Sequence, residues 1–303
     1  MLRITNSYQK SFKAFSLIEL SIVILIIGIL VAGVTQSSRL INAMRIQSAR
    51  SITLSAPVSS INGLVLWLET TLEKSFDPNQ ASNGSEISTW FDINPQTTTP
   101  LNATQPTTGR RPIYNSAGSL PLVNFNGATN GHFLSLPDNT IPSGDSAFSI
   151  FMVFRMPFDG AIKNHDVLVT GLWTNPINLI RIYKQSSTTY TVLNYLAGGA
   201  TTASQVLTGN ISSDSLIIFS AIYKSSSPKT LTGFLNSTQF ASSGVSDPRA
   251  TGSSYQMIGG NAWVNFEFFR GDIAEIIIFN RNISNDERVD VEKYLARKWS
   301  IKI

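Results

Sequence analysis

Cysteine is absent from the 303 residues. That removes disulfides, thiol nucleophiles and Cys-based metal centres, and leaves burial alone to hold an exported domain together. Histidine is nearly absent: His132 and His165 are too few for most catalytic zinc centres and far apart in sequence. Charge is also scarce, at 14% of residues, so Ser, Thr and Asn supply the polar surface, which suits an uncharged extracytoplasmic partner. Lys-rich or Arg-rich runs are missing. The net charge of +4 sits mainly at the start, where Arg3, Lys10 and Lys13 precede any acid; beyond residue 14, 20 basic residues face 19 acidic ones. A groove that tracks nucleic-acid phosphates is therefore not expected. No Glu-x-Asp or Glu-x-Glu tract offers the two carboxyl groups, about 5–5.5 Å apart, of a retaining glycosidase. The chain reads as a non-enzyme.

What the sequence does have is one long apolar run, 20 residues from Phe15 to Val34 with Glu19 as the single ionisable group. As a helix it is about 30 Å long, the hydrocarbon thickness of a bilayer. Basic residues before it keep the N-terminus cytoplasmic and send the body outward. A charged group within such a run is costly, so Glu19 is a functional candidate. The pattern of a short basic leader, Ala14-Phe15, then Ser16-Leu17-Ile18-Glu19-Leu20, resembles a type IV prepilin or pseudopilin over residues 10 to about 35. The resemblance implies cleavage by a prepilin peptidase between Ala14 and Phe15 and methylation of the new Phe15 amine. It also implies assembly in a helical bundle with other pilin-like subunits, Glu19 meeting the Phe15 amine of the next. Ala14 stands where the family usually has Gly. Gln36 stands where a kinking proline is common, so any kink moves to Gly28 or Gly33.

The leader is assigned to 1–14, a transmembrane and assembly helix to 15–56 and a linker to 57–60, because no proline interrupts until Pro57. From residue 61 the texture is β, and strands are expected at 63–68, 88–91, 122–125, 132–136, 147–156, 167–170, 179–183, 190–195, 216–223, 231–235, 255–258 and 273–279. Phe148, Ile150, Met152 and Phe154 share one face of such a strand, and Ser149, Phe151 and Val153 the other. A strand apolar on both faces belongs in the middle of a layered fold. Ser284-Asn285-Asp286-Glu287 starts a closing helix whose stripe Val291, Leu295 and Trp299 docks on the sandwich. Residues 95–112 read as a long surface loop.

Gly63-Leu64-Val65-Leu66-Trp67-Leu68, Ile87-Ser88-Thr89-Trp90-Phe91-Asp92 and Phe269-Arg270-Gly271-Asp272-Ile273-Ala274-Glu275-Ile276 together resemble the two ends of a laminin-G-like, concanavalin-A-like domain over 61–303. That implies an all-β jelly-roll sandwich following the N-terminal helix and closing on a short C-terminal helix. The fold is used for binding sugars or proteins and sometimes for hydrolysing polysaccharides. Trp67 and Trp90 are expected in the core, and Gly271 in a tight turn into the last strand. Trp173 and Trp263 are the candidate exposed sugar-stacking rings. Asp92 and Asp272 are the candidate calcium ligands. Buried Glu275 is explained by a structural hydrogen bond. The expected function is a minor pilin-like subunit, an inner-membrane precursor later at the cell surface, whose head binds an extracellular glycan or protein in adhesion. A surface-anchored polysaccharide hydrolase and a purely structural subunit are the alternatives.

Overall fold

The computed structural model describes residues 16–128, 131–138, 140–142, 145–156, 167–170, 181–184, 190–196, 204–208, 214–244, 256–260 and 268–303. Two compact units divide the chain, Met1–Arg45 and Ile46–Ile303.

Helix α1 (Leu17–Leu54) is unbroken through Gly28 and Gly33. Neither glycine has a neighbour within 4 Å of a built Cβ. Its large apolar side chains from Leu17 to Val31 are exposed, Leu17 at 86%. Among the described residues no helix is long and apolar enough to cross a membrane.

In chain order the described strands are β1 (Leu64–Glu69), β2 (Thr89–Trp90), β3 (Ala103–Thr104), β4 (Ile113–Asn115), β5 (Leu122–Asn126), β6 (Leu134–Leu136), β7 (Phe148–Arg155), β8 (Leu168–Thr170), β9 (Arg181–Lys184), β10 (Tyr190–Leu196), β11 (Ser204–Thr208), β12 (Ile217–Lys224), β13 (Thr230–Leu235), β14 (Thr238–Gly244), β15 (Gln256–Ile258) and β16 (Arg270–Phe279), followed by helix α2 (Asn285–Trp299). Eight of them form a sheet in the order β14-β13-β12-β7-β16-β5-β4, with β1 also on β16. β16 is long enough to carry two partners end to end on one edge: β5 along Arg270 to Ile273 and β1 along Glu275 to Phe279. A second sheet runs β2-β3-β6-β15-β8 and a third β11-β10-β9. The pairings given by register are antiparallel; β12–β13 and β13–β14 are joined by short hairpin-like connections, whereas β7 meets β12 and β16 across long ones.

Strand β7 lies between β12 and β16 and is apolar on both faces, as its alternation predicts. Phe148, Ile150, Met152 and Phe154 join a core shared with Trp90, Ala103, Leu134, Leu168 and Ile258 of the second sheet. Phe151 and Val153 point the other way, into a cluster with Val291, Leu295 and Trp299 of α2. Each large side chain so buried contributes about 1.5–3 kcal/mol. Ser149 has a polar task on that face: its hydroxyl donates to Arg281 O at 2.8 Å and accepts from Ile283 N at 3.1 Å.

The N-terminal end of α2 is defined by its sequence. Ser284 Oγ accepts from Glu287 N, and Glu287 Oε2 accepts from Ser284 N at 2.7 Å, the full capping box.

Two expectations are corrected. Residues 95–112 are not merely a surface loop, because β3 lies among them with Ala103 and Gln105 buried. Gly271 is not in a turn but inside β16, with φ +152°, where a Cβ would sit 2.2 Å from Arg155 O. Only glycine allows β7 that close. The residues expected to link stalk and body form a short 3-10 turn, Pro57–Ser60, with Val58 fully buried.

Candidate functional site

Ala14 and Phe15 lie outside the described residues. Glu19 stands in the first turn of α1, exposed, and accepts from Ser16 N at 2.9 Å, while Ser16 Oγ accepts from Ile18 N at 3.3 Å. Ser16-x-x-Glu19 thus caps its own helix, a local role for the acid that the sequence argument did not assign.

In the body the most heavily bonded group is sealed inside. Glu69 of β1 and Glu275 of β16 are direct cross-strand partners, and like charges so placed repel. Lys298 of α2 sits between them, Nζ at 2.8 Å from Glu69 and 2.9 Å from Glu275, all three side chains without solvent exposure. Glu69 also accepts from Thr71 N at 2.8 Å, Thr71 Oγ1 at 2.6 Å and Leu72 N at 2.7 Å. Glu275 accepts from Trp67 Nε1 and Trp299 Nε1 at 2.8 Å each and from Tyr294 Oη at 2.6 Å. Burial alone would raise the Glu69 pKa, but the Lys298 charge and the bonds from Lys298, Ser75 and Thr71 outweigh it and bring it down to about 2. Burial and the Glu275 charge push the Tyr294 phenol well above its ordinary value.

This cluster has the members of an acid-base site, yet the Glu69, Glu275 and Lys298 side chains are without solvent exposure and line neither of the two cavities described among these residues. It is a clamp between α2 and the β1–β16 seam. Trp67 and Trp90 are buried as expected. Trp90 donates Nε1–H to Glu69 O at 2.8 Å and stacks on Phe76 with ring centroids 5.8 Å apart.

Asp92 is buried in a loop. Its carboxylate accepts from Trp67 N at 2.9 Å, Asn94 N at 3.0 Å and Leu101 N at 3.0 Å. Asp272 of β16 accepts from Arg155 Nε at 2.7 Å and Asn124 Nδ2 at 2.9 Å. Both carboxylates are taken up by N–H donors. Among the described residues no group of three His, Asp or Glu is gathered to hold a metal. Calcium takes six to eight oxygen ligands, whereas the described partners of these two carboxylates are N–H donors.

Asp272 nevertheless lies in a cavity. Arg155, Asp272 and Asn124 are register partners across β7, β16 and β5, and Arg270 faces Asn126 two residue pairs further along. Their alternates Phe154, Ile273, Val123 and Phe125 belong to the inter-sheet core, so this polar row is on the sheet's other face. The row, with Phe125, Met156, Gly271 and Asp214, lines a cavity of about 370 Å³. A second cavity, about 280 Å³, adjoins it at Asn124 and is lined by Asn83, Gly84, Ile113, Tyr114 and Asn115. Asn126 is steadied from behind by His132, whose Nε2 lies 3.1 Å from the amide nitrogen and whose imidazole is held below its ordinary pKa by burial.

Of the candidate ligand residues named from the sequence, Asp272 is the one that the described residues bring to this cavity, beside Gly271. Trp173 and Trp263 lie outside the described residues. Asn124, Asn126, Arg155 and Arg270 were missed. The available signal was Asn124-Phe125-Asn126, polar residues flanking a core phenylalanine at strand spacing.

Comparison of the fold with solved structures places it among β-sandwiches found beside carbohydrate. One is a Trypanosoma rangeli sialidase in complex with sialic acid, TM-score 0.53 and 14% identity, covering 78% of this chain and 33% of that one. Another is domain 4 of AbnA, a GH43 extracellular arabinanase from Geobacillus stearothermophilus, in complex with arabinotriose, TM-score 0.53 and 14% identity, covering 76% of this chain and 98% of that one. A third is the binding domain of botulinum neurotoxin DC in complex with SialylT, TM-score 0.53 and 10% identity, covering 77% and 52%. At such identities the likeness is one of fold. No curated protein sequence matches the chain. The prokaryotic N-terminal methylation motif matches residues 9–35, so the N-terminus is type IV pilin-like.

Proposed function

We propose that this chain is the precursor of a minor type IV pilin-like or pseudopilin subunit, whose helix crosses the inner membrane and then packs in a filament, and whose sandwich head binds a glycan outside the cell. The observation that carries the reading is the methylation motif at residues 9–35, set at the head of a helix with exposed apolar side chains. The 20 residues from Phe15 to Val34 match the roughly 30 Å of a bilayer core. Prepilin peptidase cuts between Ala14 and Phe15, Phe15 is methylated, and Glu19 pairs with the Phe15 amine of a neighbouring subunit. The head, a jelly-roll sandwich over 61–303, is bulky beside a thin filament and suits a tip or minor position.

Binding rather than hydrolysis is supported by the burial of the Glu69–Glu275 pair away from both cavities. Glycan as ligand class is supported by the arabinotriose and SialylT complexes of similar folds.

The test is the mass of the mature chain purified with its filaments. An N-terminus of N-methylated Phe15 is expected; any other start overturns the proposal. Reducing ends released from a polysaccharide panel by the full chain would replace binding with hydrolysis.

A further inference from the structure

We infer that the Arg155–Asp272–Asn124 cavity is the ligand site of the head and takes an uncharged, hydroxyl-rich oligosaccharide rather than a carboxylated sugar. The inference rests on the glycan-binding reading above and adds to it the place and the chemical class. Among the described residues the cavity is lined by two guanidinium groups, Arg155 and Arg270, and two carboxylates, Asp214 and Asp272, so its charges cancel. Arg155 and Asp272 satisfy each other at 2.7 Å. A carboxylated sugar would have to break that pair or enter without a net counter-charge, and either costs affinity.

Hydroxyl groups both donate and accept, which is what this lining offers. In the described hydrogen bonds Asn124 uses only its amide nitrogen and Arg155 only Nε, which leaves an amide oxygen to accept and guanidinium N–H groups to donate.

The volume, about 370 Å³, falls at the lower end for a small-molecule site. The adjoining 280 Å³ cavity shares Asn124 and adds Asn83, Asn115 and Tyr114. Asn115 reaches the same carboxylate, with Nδ2 3.5 Å from Asp272 Oδ1. From β7 across β16 and β5 to β4 is three strand intervals, about 14 Å. A single ring fills one cavity and an oligosaccharide both, so longer ligands bind more tightly.

The experiment applies the full chain, in a sugar-free zwitterionic detergent, to an array of neutral, carboxylated and sulfated oligosaccharides of graded length, beside Arg155→Lys and Arg270→Gln. Arg155→Lys keeps the charge opposite Asp272 and removes the planar fork; Arg270→Gln alters an exposed rim residue, so one of the two remains folded, as its melting curve records. Neutral oligosaccharides bound by the parent chain and weakened at least about tenfold by the folded variants are the expected result. Binding confined to acidic glycans, or neutral binding untouched by the variants, overturns the inference and leaves the glycan-binding reading standing. An array blank for the parent chain sinks both.

Discussion

Lys298 is the side chain on which the head most depends, because it is the one cation between two carboxylates that β-sheet register forces together. Its removal leaves Glu69 and Glu275 opposed in a site without solvent exposure, and breaking a buried pair in this way costs about 3–5 kcal/mol. Lys298→Met should lower the unfolding free energy, read from the denaturation curve of the full chain, by that amount, and Glu69→Gln added to it should restore part of the loss. Equal stability of Lys298→Met and the parent would remove the clamp from the account. The pH dependence follows from Glu69. Its carboxyl titrates at about 2 in the fold against 4.5 unfolded, so the unfolded state takes up the proton first. Its contribution is complete above pH 4.5 and is lost as the pH falls from 4.5 towards 2. Glu69→Gln should flatten the stability curve in that window and leave its shape above pH 5 unchanged.

At the level of strands and helices, β16 shows how much the sequence discloses and where it stops. Its strand character from Ile273 to Phe279 and the hydrogen-bonding role of Glu275 are legible, because isoleucines flanking one acid have a single economical arrangement. The two faces of β7, the α2 capping box and the helix span of α1 are legible for the same reason: each is a periodic pattern within one element. β4, β11 and β14 escape, being short or rich in Ser, Thr and Gln, so that pairing rather than hydrophobicity makes them strands. The candidate site escapes too. Arg155, Asp272 and Asn124 are separated in sequence and meet only through register, which no single stretch encodes. Gly271 is what permits the meeting. Gly271→Ala places a methyl 2.2 Å from Arg155 O at φ +152°, so β7 and β16 must part where the polar row sits. A loss of about 1–3 kcal/mol in stability is expected, together with loss of glycan binding. A folded Gly271→Ala chain that binds as the parent does would show that the row's spacing is immaterial.

For the molecule as a whole, the question is whether Glu19 serves the chain that carries it or the filament that chain enters. Its described partner is Ser16 N at 2.9 Å in its own first turn, an exposed cap worth about 0.5–2 kcal/mol to that turn. The head, with its own cores and clamp, belongs to the unit from Ile46 to Ile303. Neither Glu19→Ala nor Glu19→Gln should therefore shift the melting of the head. The two variants differ in what they leave behind: glutamine can still accept the Ser16 N–H bond, as it does in a capping box, but carries no charge for a neighbouring amine. If the acid acts between subunits, both variants reach the membrane and both enter filaments at least about tenfold less than the parent, measured by immunoblot of sheared filaments against membrane stocks. A glutamine variant that assembles at parental levels while the alanine variant does not would reduce Glu19 to a helix cap, and the charge-pairing account of assembly would fall with it.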